Sequence, residues 1–130
     1  MSMYTVSVRR PFIAQHFLTV PDPGPEGELH SHQFTAVVEF EGESLDEYGY
    51  LVDIDAINAA LDDVVETYAD TTLNDQPAFE GLNPSVEHFS RIVCEHVVDH
   101  AVPTNPDRIR VRIWEDDEAF ASYERALDDG

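Results

Sequence analysis

Two histidines, His30 and His32, lie two residues apart where an alternating stretch begins. In a strand that spacing puts both imidazoles on one face, with Cα atoms roughly 6–7 Å apart. Two ring nitrogens at that separation can converge on one Zn²⁺ at roughly 2.0–2.1 Å each. A third ligand must come from a neighbouring strand, and His16 is available if the strand that it ends pairs with the one starting at His30. Three neutral imidazoles leave a fourth position for water or substrate, the arrangement of a catalytic rather than a structural zinc. Three histidines also suit other first-row ions, and an isolated His-x-His is more often a pair of exposed residues at a loop end.

Carboxylates surround this pattern. Glu26 stands four residues before His30 and Glu28 two before it, where a carboxylate could act as general base. Glu115 follows Trp114 at the end of an apolar strand and could grip a flat heterocycle through its N–H donors. Glu87 falls in the first turn of a helix, where the macrodipole alone favours it. In a chain with 27 Asp and Glu, any single one is most often a solvated surface charge, and Asp70 and Asn74 carry the same discount. Arg108, Arg110 and Arg112 form a stripe that could attract phosphate, but more simply form the polar face of a strand bridged to acidic neighbours. His88, His96 and His100 lie on or just after a helix and read as surface or half-buried residues.

The elements that must position these groups follow from periodicity. Alternation from Tyr4 through Val6 and Val8 predicts a strand, and Phe34, Ala36, Val38 and Phe40 predict a second that pairs with it. Three Pro and two Gly between Val20 and Glu28 make the connection an irregular loop, and 41–50 is a polar turn. Ile54, Ile57, Leu61, Val64, Val65 and Tyr68 recur at helical spacing. A loop over 69–82 leads to a second helix, with Asn83 as cap, Pro84 at its first position, and Val86, Phe89, Val93 and Val97 as the buried stripe. After Pro103 and Pro106, Ile109, Val111 and Ile113 alternate with arginines as a third strand. A short fourth strand over 119–123 closes a hairpin across 115–118, and the final RALDDG is expected to fray. The order ββααββ predicts an α+β fold with both helices on one face of a four-stranded antiparallel sheet, in a single domain over residues 1–126 with 127–130 as tail. Two open sheet edges lean the architecture towards an oligomer.

Composition narrows the function. The chain has 130 residues and a formal net charge of −20, with seven basic residues, all Arg. One domain with a modest core is expected at this length. Hydrophobic residues at 42% exclude a disordered acidic tail. An acidic, Lys-free surface fits a halophilic cytoplasm, because at molar salt the Debye length is only about 3 Å and self-repulsion is screened. Nucleic acid and anionic membranes both need a basic surface and are excluded as general partners. No run approaches the ~20 apolar residues of a membrane span, and MSMYTVSVRRPF has no signal-peptide core. The lone Cys94 excludes an internal disulfide framework.

Taken in order, PFIAQHFL with His16, the HSH of His30 and His32, GYLVDIDAINAAL, TLND, NPSVEHF and IRVRIWEDDEAFASY resemble the 6-pyruvoyl-tetrahydropterin synthase / 6-carboxytetrahydropterin synthase family. The resemblance runs from Tyr4 to Tyr123 and implies the tunnelling fold, in which subunits join sheets into a barrel, typically a trimer stacked into a hexamer. It implies zinc on His16, His30 and His32, Glu115 as anchor of a pterin's aminopyrimidine edge, and Ser85 and Glu87 as the polar pair beside the pocket. The family's usual catalytic Cys, four residues before the first His of the pair, is replaced here by Glu26, as in a subgroup that carries Glu. That subgroup cleaves dihydroneopterin triphosphate to 6-hydroxymethyl-7,8-dihydropterin, a folate precursor. The Asp-His pair that normally precedes LN is Ala69-Asp70, which leaves Asp70 as the candidate for proton transfer. A carboxylate there has a reference pKa about 2–3 units below imidazole and needs burial or a like charge to work near neutrality. The implied alternatives are a 6-carboxytetrahydropterin synthase of the 7-deazaguanine (queuosine/archaeosine) pathway and a pterin-binding homologue without catalysis.

Overall fold

The computed structural model describes residues 2–127. Strand β1 (Tyr4–His16) and strand β2 (His30–Gly42) are joined by a loop with a 3-10 turn at Gly24–Gly27. Helix α1 (Ile54–Tyr68) and helix α2 (Val86–Ala101) follow, linked through short 3-10 turns at Leu73–Asp75 and Pro77–Phe79. Strands β3 (Arg108–Trp114) and β4 (Phe120–Ala126) close the chain. All neighbouring strands are antiparallel and lie in the order β1-β2-β3-β4. This is the α+β arrangement that the alternations and helical stripes predict.

Period-two side chains divide the sheet into two faces. Phe12, Ala14, Phe34, Ala36, Val38 and Phe40 are buried with Ile109, Val111 and Ile113 on one face. Against them pack Ile57, Leu61 and Val64 of α1 and Phe89, Val93 and Val97 of α2. The opposite face carries the arginine stripe, and its pairings settle the stripe's role. Arg110 reaches Glu39, Glu41 and Glu124, Arg112 reaches Glu39, and Arg108 reaches Glu124. These are cross-strand pairs of opposite charge, the simpler of the two roles open to that pattern.

Two boundaries differ from expectation. Helix α2 is capped by Ser85, whose hydroxyl accepts from the His88 N–H at 3.1 Å, rather than by Asn83. The Asn83 side chain is engaged elsewhere, accepting from the Thr19 N–H at 2.8 Å, which leaves Pro84 ahead of the helix rather than in its first turn. Strand β4 starts at Phe120 and continues past Tyr123 to Ala126, so Arg125 and Ala126 do not fray. The Arg110↔Glu124 and Arg108↔Ala126 registers extend the ladder, and the Leu127 N–H donates to the Asp107 carbonyl at 2.8 Å. The rest of that expected tail, 128–130, lies outside the described residues.

Candidate metal centre

The register of β1 on β2 pairs His16 with His30 and Ala14 with His32. His16 and His30 are therefore direct cross-strand neighbours, and His32 sits one pleat further along the same face. That face also carries Phe34 and the core, so alternation alone turns all three rings inward at the end of the sheet. Ring centroids are 4.7 Å apart for His16 and His30, 4.8 Å for His30 and His32, and 5.2 Å for His16 and His32. One ligating nitrogen from each lies within 4.8 Å of the others.

The far nitrogens fix the near ones. His16 Nδ1 lies 2.9 Å from the Pro84 carbonyl and His30 Nδ1 lies 2.8 Å from the Glu28 carbonyl. A carbonyl can only accept, so each Nδ1 carries the proton and each Nε2 holds a bare lone pair. The Nε2 atoms of His16, His30 and His32 are all buried without a hydrogen-bond partner among the described residues. A buried polar atom left unpaired costs about 1–3 kcal/mol, and three aimed together are the mark of an ion site. Burial pushes the His16 imidazole below its ordinary pKa, aided by His30 and His32, while the Pro84 carbonyl and the Glu26 carboxylate pull it upward. The net effect favours the neutral form that a metal requires.

The chain after His16 is strapped down by amides from the connection between the helices. Asn74 Oδ1 accepts from the Phe17 N–H at 3.0 Å, and Asn74 Nδ2 donates to the Phe17 carbonyl at 2.9 Å. The Leu18 N–H donates to the Glu26 carbonyl at 2.8 Å, which ties the Glu26 turn to the same strap. These supports were hidden in the sequence. The Pro84 carbonyl is backbone chemistry that no residue type announces, and Asn74 carries a polar side chain in a loop, an unremarkable place for one.

The carboxylates fall into two groups. Glu26, in its exposed turn, lies close enough for its charge to act on His16. Glu115 Oε1 lies 3.1 Å from His32 Nε2, off the line of a hydrogen bond, and lines a cleft of about 330 Å³ with Ser31, His32 and Thr35. Glu115 and Glu87 also share a cleft of about 140 Å³ beside Phe120, which brings the start of α2 to the end of β3. Ser85 caps α2 one residue after Pro84 and so stands beside His16 through the backbone. Asp70 stands apart. Its N–H donates to the Ile13 carbonyl at 2.7 Å on the outer edge of β1, its φ is +60°, and its exposed side chain makes no hydrogen bond among the described residues. Cys94 is buried in the core with its thiol pushed up to about 11 by burial, so it is no nucleophile. A cavity of about 430 Å³ beside Tyr48 and Tyr50 at the start of α1 contains none of these residues.

A family model described as 6-pyruvoyl tetrahydropterin synthase matches residues 5–126. The fold is similar to that of Caenorhabditis elegans 6-pyruvoyl tetrahydropterin synthase, with a TM-score of 0.79, 18% identity, and 96% of this chain and 97% of that one covered. A Plasmodium vivax 6-pyruvoyltetrahydropterin synthase, solved as a variant with its catalytic glutamate replaced by alanine, gives a TM-score of 0.81 at 12% identity, covering 98% of this chain and 100% of the other. A dihydroneopterin aldolase from Burkholderia thailendensis bound to guanine gives 0.53 at 11% identity, covering 97% and 93%. No curated protein matches the chain. No helix among the described residues is long and apolar enough to cross a membrane.

Proposed function

The chain belongs to the 6-pyruvoyl tetrahydropterin synthase family, and from that premise we propose that it is a zinc-dependent lyase acting on the side chain of a reduced pterin. The substrate is dihydroneopterin triphosphate or a related dihydropterin, and the product is 6-hydroxymethyl-7,8-dihydropterin. The observation that carries this reading is the set of buried, partnerless Nε2 atoms on His16, His30 and His32. Those three residues would hold the zinc, which when bound supplies Lewis-acid polarisation of side-chain hydroxyls.

The chain's own residues do the rest. Glu115, at the mouth of the cleft beside His32, accepts hydrogen bonds from the aminopyrimidine N–H groups and fixes the ring. From the start of α2, Glu87, two residues after the cap Ser85, borders the smaller cleft that Glu115 also lines. Glu26 takes the proton of the hydroxyl on the second side-chain carbon. The bond between the first and second carbons then breaks, the second becomes an aldehyde, and the electron pair passes into the ring's C=N bond. A proton returned to the first carbon completes the hydroxymethyl product. A glutamate as catalytic residue has a precedent in this fold, in the Plasmodium vivax protein.

Asp70 is exposed beside the edge of β1, and its proton transfer would be exercised across a subunit boundary. The second reading is a homologue that binds pterin without turning it over, favoured by the replacement of the family's Cys and Asp-His pair. A 6-carboxytetrahydropterin synthase is disfavoured by the burial of the lone thiol. The edges of β1 and β4 support a homo-oligomer, a trimer or hexamer that pairs them between copies.

The test is incubation of the zinc-loaded protein and its Glu26→Gln variant with dihydroneopterin triphosphate and with dihydroneopterin, with the pterin formed identified by mass. A 6-hydroxymethyl product from the wild type, lost in the variant while zinc and pterin still bind, is expected. A 6-carboxy product moves the protein to deazaguanine synthesis. Binding of pterin without any product selects the non-catalytic reading.

A further inference from the structure

Resting on the pterin reading above, we infer that the ligand of this site carries an uncharged side chain: the clefts beside the histidines select a free polyol pterin over a phosphorylated one. Phosphate is held by Arg, by Lys, or by the free N–H groups of a helix N-terminus. The chain has no lysine, and its seven basic residues are all arginines. Five of them are engaged with carboxylates. Arg108, Arg110 and Arg112 bridge to Glu39, Glu41 and Glu124 on the helix-free face. Arg10 pairs with Asp62, and Arg91 with Glu95.

The helix N-termini are engaged too. Asp53 caps α1 and accepts from the Asp55 N–H at 2.9 Å, with Asp55 adding negative charge to the first turn. Ser85 caps α2, with Glu87 in its first turn. An anion arriving at either end meets a cap already filled and a carboxylate beside it.

Arg9 and Arg125 make no ion pair among the described residues. Arg125 lies opposite Ile109, on the helix side of β4 and away from these clefts. Arg9 lines a cleft of about 240 Å³ on the helix-free face, together with Trp114, Asp116 and Asp117. The same two aspartates line the cleft that holds His32 and Glu115. The Asp116 carboxyl accepts from the Glu118 and Ala119 N–H groups at 2.8 and 2.9 Å, which hold it below the usual carboxylate range and keep it anionic. Arg9, without an ion pair among the described residues, thus shares its cleft with two carboxylates, and the same two border the cleft beside His32. The polyol itself needs only hydroxyl partners, and Ser31, Thr35 and Gln33 supply them along that cleft.

The experiment is fluorescence titration of the zinc-loaded protein with neopterin and with neopterin triphosphate as probes. Neopterin is expected to bind tighter by roughly tenfold or more, with the gap narrowing as KCl rises and the carboxylates are screened. Asp117→Arg is expected to strengthen triphosphate binding while leaving neopterin binding within about twofold. Triphosphate binding as tight as neopterin, or tighter, overturns this inference and leaves the lyase reading standing. Binding of neither probe overturns both.

Discussion

His16 Nδ1 donates to the carbonyl of Pro84 at 2.9 Å, joining residues 68 apart in the chain. The bond ties the last residue of β1 to the segment that opens α2, and it settles which nitrogen of His16 faces His30 and His32. A helix start and a strand end thus act together on one lone pair. Outer-shell bonds of this kind commonly alter metal affinity by about 10–100-fold.

Replacing His16 with Ala should abolish tight zinc binding, whereas replacing His88, whose ring lies outside the cluster, should not. Metal analysis after dialysis checks this. In the wild type, zinc at a hundredfold excess over its Kd should add about 2.7 kcal/mol to stability, and this increment should vanish in His16→Ala.

The lowered pKa of His16 sets a direction for pH. Above the ordinary value of 6.5 the imidazole is neutral in both folded and unfolded chains and contributes no slope. As the pH falls below that value the unfolded chain takes up a proton that the folded one resists. Stability of the metal-free protein should therefore fall until the depressed folded pKa is crossed, then level. Denaturation midpoints from about pH 8 to about pH 5, compared with His16→Gln, check the sign.

Asn74→Ala removes both bonds to the Phe17 backbone. The expected loss is about 1–3 kcal/mol of stability, because a half-buried N–H and carbonyl are left without partners. Zinc affinity should drop as well, since Phe17 adjoins His16. Asn74→Asp, which keeps the acceptor and loses the donor, should fall between. Urea midpoints and zinc titration read the two effects separately.

Val102 ends α2 with φ +46° and ψ +58°, in the left-handed region where a β-branched side chain is strained. It is also exposed, so little packing is lost on its removal. Val102→Gly should therefore raise stability by about 0.5–1 kcal/mol. A higher urea midpoint at unchanged slope is the signature.

Much of this was legible from residue order. The alternation of Phe34, Ala36, Val38 and Phe40 against Val37 and Glu39 names the buried face of β2, and the same alternation carries His30 and His32 onto it. The stripes of Ile57, Leu61 and Val64 and of Phe89, Val93 and Val97 name the helices and their inner sides. The cap of α2 was not legible, because Asn83 and Ser85 are both good caps and the choice depended on Thr19, far away in sequence. The reach of β4 to Ala126 was also hidden, since its exposed residues show no apolar alternation and it is held by its partner strand.

The sequence by itself determined the two periodicities, the acidic charge, and the presence of two histidines on one strand face, because these depend only on neighbours along the chain. The tertiary structure decided that His16 is their third partner, that Pro84 orients it and that Glu115 meets His32. Each of those facts is a distance between segments remote in sequence. Such distances are set by strand register and by how the helix connection packs against the end of β1, and neither is written in the spacing of the residues themselves.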